Sequence, residues 1–74
     1  MQMSDKEAET ARAIIQGSLD RNGEPVYVLG CPRHVFQWLC DNGMTPGVMI
    51  HPEHGNIPTM QVFNFDAARK AVSH

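Results

Sequence analysis

Residues 25–43 decide the fold: Pro25-Val26-Tyr27-Val28-Leu29-Gly30-Cys31-Pro32-Arg33-His34-Val35-Phe36-Gln37-Trp38-Leu39-Cys40-Asp41-Asn42-Gly43. Residues 26–29 form a short, nearly continuous apolar run, the pattern of a central strand buried on both faces. Gly30 ends it. Pro32 suits the first position of a helix, where the missing N–H has no partner to lose. Val35, Phe36, Trp38, Leu39 and Cys40 follow, and Asp41-Asn42-Gly43 closes the helix on a left-handed glycine. A strand leading into a helix is therefore the central unit.

Working upstream, Ser4-Asp5-Lys6-Glu7 has the S-x-x-E form of a capping box. Asp5, Glu7 and Glu9 suit the positive end of the helix dipole. Ala8, Ala11, Ile14, Ile15 and Leu19 recur at helical spacing, and Gly23 is a stop, so a helix is expected from residue 5 to about 21. Downstream, Pro46-Gly47 reads as a turn and 48–50 as a second strand. Residues 51–56, His51-Pro52-Glu53-His54-Gly55-Asn56, read as a polar loop. Residues 59–63 read as a third strand, and Asn64 as the cap of a short helix from about 65 to 72. The expected fold is α/β (α+β), a single layer of about three strands with three helices in the order α-β-α-β-β-α. Strands two and three are expected to form an antiparallel hairpin. If strands one and two are adjacent, the helix between them allows a right-handed parallel crossover. With so few strands a sheet edge stays open, which favours a homodimer.

The 74 residues make one domain, 1–74, with a small core. The formal net charge is -2, and no cluster of Lys or Arg would follow a phosphate backbone, so nucleic acid is not an expected partner. No apolar run nears the ~18 residues of a membrane span. The start has no basic-then-apolar order and is not read as a secretory signal. On a straight helix Cys31 and Cys40 lie about 13 Å apart along the axis, too far for a disulfide. Two free thiols point to the cytoplasm.

Three groups of residues are candidates for chemistry. At 30–34, Gly30-Cys31-Pro32-Arg33-His34, a cysteine sits where a helix begins. The amides and dipole there favour thiolate, with His34 one turn on as a base. The segment resembles the active-site corner of the thioredoxin superfamily, a strand leading into Cys-Pro-x-Cys. Ile57-Pro58-Thr59 resembles that family's cis-proline turn. The resemblance implies Cys31 as the attacking cysteine and Pro58 as a cis-proline. The sequence departs from the family in two ways. His34 stands in the place of the resolving cysteine, and no helix fits in the seven or so residues between Ile50 and Pro58. What remains is monothiol chemistry on a trimmed scaffold, with Cys31 and His34 as its residues.

A second group is metal-like. Cys31 with His34 and His51 with His54 offer two ligand pairs for a zinc-stabilised interaction module, although the spacing fits no standard finger. His51, Glu53 and His54 can also be read as an acid/base group. The third feature is an apolar surplus. Phe36 and Trp38 point to different sides of one helix, so at most one faces the sheet squarely. Either both are core, or one serves a partner.

No catalytic group has an evident partner and no cofactor motif is complete. The expected function is therefore a small non-catalytic protein-binding module, of the adaptor or inhibitor type that phages and mobile elements also encode. Its expected contacts are Phe36, Trp38, His51, Glu53 and His54. No cofactor is expected, zinc being the alternative.

Overall fold

A computed structural model describes residues 3–73. The reading of the extreme N-terminus as no signal falls partly on residues 1 and 2, outside the described residues. α1 spans Asp5–Asp20 and starts on the expected capping box. Ser4 Oγ accepts from the Glu7 amide, and Glu7 Oε1 accepts from the Ser4 amide. β1 is Val26–Tyr27, α2 is Arg33–Asp41, β2 is Met44–His51, β3 is Gly55–Val62 and α3 is Phe65–Val72. Three helices and a three-stranded antiparallel sheet thus follow the expected order α-β-α-β-β-α. Asn64 caps α3, its side chain accepting from the Ala67 amide.

The sheet order is β1-β3-β2, and β3 pairs antiparallel with both neighbours. Strands one and two are therefore not adjacent, and the parallel crossover is replaced by the insertion of β3 between them. β1 is also not a central strand buried on both faces. It is a two-residue edge strand, with Tyr27 and Leu29 exposed. The Val28 amide makes one last bond to the sheet, at Pro58 O. The Cys31 amide then donates back to Val28 O and closes a turn. A short apolar run has the same pattern whether its strand lies inside a sheet or at its edge.

The hairpin is as expected but longer. Pro46-Gly47 is not a turn; both residues lie within β2, opposite Met60 and Thr59. Pro58 lies within β3, and no peptide bond among the described residues is cis, which removes the cis-proline implied by the thioredoxin resemblance. The polar loop shrinks to the turn Pro52-Glu53-His54, with His51 opposite Gly55. Pro46 sits where a strand tolerates it, and the Pro58 nitrogen faces Val28 O, which accepts from the Cys31 amide instead. The Val28 amide reaches Pro58 O, so even-numbered β3 residues direct their backbone groups toward β1. By antiparallel geometry the even-numbered β2 residues direct theirs to the open edge, and the N–H that Pro46 lacks would face solvent.

All three helices contribute to a core on one face of the sheet. Ala11 and Ile15 of α1, Val35 and Leu39 of α2, and Ala68 of α3 meet Val28, Met44, Met60 and Val62. Burying one large aliphatic side chain of this kind stabilises by about 1.5–3 kcal/mol. The Cα extents, 38 × 26 × 16 Å, leave room in the thinnest direction for one sheet and one helix layer. Buried Ser18 ties the layers together. Its hydroxyl donates to Glu24 O at 2.7 Å and accepts from the Val62 amide at 3.3 Å, joining α1 to the central strand. Gly43 joins β2 to α3. Its carbonyl accepts from the Phe63 and Asn64 amides at 2.7 and 2.9 Å, and its φ is +94°.

A side chain at Gly43 has no room, because a Cβ there would lie 2.6 Å from Asn64 O. Gly55 has a similar φ of +74° but open space around it. Gly43→Ala is expected to destabilise by about 3 kcal/mol, strain plus overpacking, against about 1 kcal/mol for Gly55→Ala. Urea unfolding of both variants checks this. Equal losses would show that backbone strain alone acts at Gly43.

Candidate functional site

Three places on this frame bear groups able to bind or react: a cleft beside α1, the tip of the hairpin, and the open edge of β2.

The cleft, of about 690 Å³, opens between the first turns of α1 and the segment leading into α2. Glu7, Thr10 and Ile14 line one wall, and Leu29, Cys31 and Val35 the other. Cys31 is half-buried here, two residues ahead of the first residue of α2. The amides and dipole of a helix start favour thiolate, but the environment acts in the opposite direction. Burial pushes the Cys31 thiol above its ordinary range, because an apolar wall disfavours the charged form. Cys40 is pushed up too, by burial and then by Asp41. Both cysteines are free.

His34 is engaged elsewhere than at the sulfur. Its Nε2 lies 2.8 Å from Glu7 Oε2, tying the start of α2 to the start of α1. An ionised carboxylate only accepts, so Nε2–H donates. Glu7 is held below the ordinary carboxylate range, chiefly by the Ser4 amide and then by the His34 contact. The arrangement is a polar clasp between two helix starts. It does not join a base to a nucleophile.

At the hairpin tip, His51, Glu53 and His54 come together, with one donor atom from each within 4.8 Å of the others. The two imidazole rings stand 4.7 Å apart, tilted by 35°. The Glu53 amide donates to His51 Nδ1 at 3.1 Å. The four-ligand set read from the sequence does not assemble. His51 and His54 gather with Glu53, whereas Cys31 lines the cleft and His34 holds Glu7.

Phe36 and Trp38 are both half-buried against the core. The exposed large apolar side chains lie elsewhere: Tyr27, Leu29, Val48, Met49, Ile50 and Phe63. Val48 and Ile50 are 64% and 81% exposed, the reverse of what a strand buried between helices would show. They share the helix side of the sheet with Met44 and Met60, beyond the part that helices cover. Their backbone N–H and C=O groups, being even-numbered, face the open edge of β2. The sequence held one signal for this. Three consecutive apolar residues on an outer hairpin strand need cover on both faces, and here all three stay exposed.

No protein family, curated protein or solved structure matches the chain. Among the described residues no helix is long and apolar enough to cross a membrane.

Two outcomes follow from the cleft. Cys31 and Cys40 are expected to react with iodoacetamide at pH 7 more slowly than an unstructured thiol, because both hold less thiolate; faster reaction at Cys31 would contradict its burial. The Glu7 carboxylate, lowered on folding, contributes stability that is present above 4.5 and lost as pH falls through its folded value. The stability gap between wild type and Glu7→Gln, read by urea unfolding, should therefore close on acidification. A gap that widens in acid would reverse the sign.

Proposed function

We propose that the chain is a non-catalytic protein-binding module that acts as a homodimer, two copies joined antiparallel along their open β2 edges. The observation that carries this reading is the edge itself. Val48 and Ile50 present both exposed aliphatic side chains and outward-facing backbone amides on an eight-residue strand. Exposed strand edges pair with other chains unless charge, proline or a bulge blunts them, and Pro46 removes one donor from this edge but leaves the Val48 and Ile50 amides in place. Here nothing charged lies between Met44 and Ile50. A two-fold axis sets this segment against itself, and it brings no like charges together. Pairing would satisfy the amides of Val48 and Ile50 and cover the side chains that the helices leave bare.

The elevated thiols and the engagement of His34 by Glu7 favour a binding role over thiol chemistry. The free cysteines support a cytoplasmic setting. A role as a small adaptor or inhibitor suits a module of this size. Relative to the sequence-based reading, the contact surface moves from Phe36 and Trp38 to Val48, Met49 and Ile50.

Sedimentation velocity of the full chain tests the proposal. A dimer is expected at about 100 µM, and Val48→Lys or Ile50→Lys should raise the dissociation constant by at least about 30-fold, some 2 kcal/mol. Phe36→Ala should lower the melting temperature and leave the association of folded chains intact. A wild type that stays monomeric, or a dimer that either lysine leaves unchanged, sinks the proposal.

A further inference from the structure

The turn at the end of the hairpin brings together two imidazoles and a carboxylate within four residues of chain. Both ends of the turn are fixed by the β2–β3 ladder, where His51 faces Gly55. Gly55 takes a φ of +74°, which closes the short connection. The bend folds His51, Glu53 and His54 onto one another until their donor atoms lie within 4.8 Å. We propose that this turn binds one borderline divalent transition-metal ion, represented by zinc, through His51, Glu53 and His54.

The donor set selects the class of ion. Calcium and magnesium require shells of oxygen, whereas two imidazoles with one carboxylate suit zinc, cobalt, nickel or copper. In a tetrahedral shell with bonds near 2.0–2.1 Å the donor atoms stand about 3.3 Å apart. Glu53 and His54 are exposed, so rotation of their side chains closes the present gap while the ladder holds the backbone. His51 supplies the fixed point, since it is half-buried and its backbone stands in the β2–β3 ladder opposite Gly55. Ligation through Nε2 requires the ring proton to stand on Nδ1, so the contact from the Glu53 amide is given up. Ligation through Nδ1 replaces it directly. In either case the ion displaces one exposed hydrogen bond within the turn and no contact of the core.

Three protein ligands leave a fourth position for water or for a donor from another molecule. The ion would fasten positions 51, 53 and 54 to one another and stiffen the hairpin next to Ile50. The site is independent of the β2 pairing, and it is distinct from the Cys31/His34 pair.

The test is zinc titration of the full chain by calorimetry, with native mass spectrometry for stoichiometry. One zinc per chain is expected, with no heat from calcium. His51→Ala and His54→Ala should each weaken affinity at least tenfold and Glu53→Gln several-fold, while Cys31→Ser and His34→Gln stay within twofold of wild type. Because the turn lies outside the core, the variants should keep the wild-type circular dichroism, and the more conservative His54→Asn provides a second reading of the same ligand. Absence of zinc binding at about 100 µM, unchanged affinity after loss of either turn histidine, or dependence on Cys31 and His34 would each overturn the assignment.

Discussion

The rest of the structure depends on a mismatch in strand length. β3 runs for eight residues, as does β2, but β1 pairs with it over only two. The helices cover the end of the hairpin where β1 is present, around Met44, Met60 and Val62. Beyond Pro46 the hairpin continues with Val48, Met49 and Ile50 exposed and, among the described residues, no third strand on the β2 side. Val48, Met49 and Ile50, the outer part of the open edge and the accessible turn lie on that extension.

What holds the covered end together is a small set of polar ties around the apolar core. Ser18 Oγ serves the Glu24 carbonyl and the Val62 amide together, so α1 sets the height of β3. A buried hydroxyl with both partners in place stabilises modestly, but loss of one partner leaves an unsatisfied group worth about 1–3 kcal/mol. Glu7 and His34 make the corresponding tie between the starts of α1 and α2. That tie consumes the histidine that would otherwise make Cys31 chemically notable. A core this small therefore uses polar side chains for alignment, and those side chains are withdrawn from chemistry.

Local signals made much of the architecture legible. The capping box at Ser4 and Glu7, the Asn64 cap and the glycine after Asn42 each act within a few residues, and each element stands where they put it. Strand order was not legible, because it depends on contacts far apart in sequence. Residues 26–29 read as a central strand because apolar continuity does not encode the number of neighbours. Pro46-Gly47 read as a turn because these residue types favour turns, yet an edge strand accepts proline where its N–H would face solvent. The candidate sites fared similarly. His51, Glu53 and His54 are sequence neighbours and do cluster. The distant pairing of Cys31 and His34 with His51 and His54 did not form, and Phe36 and Trp38 are half-buried against the core on a helix that meets both α1 and β2.

Hydrogen exchange at the amides of Val48 and Ile50, followed as a function of protein concentration, tests the central claim most directly. These groups face the open edge and have no partner strand among the described residues. If two copies pair along β2, both amides exchange slowly in concentrated protein and lose protection on dilution, while those of the covered core stay constant. Exchange as fast as in an unstructured chain at every concentration would contradict the account.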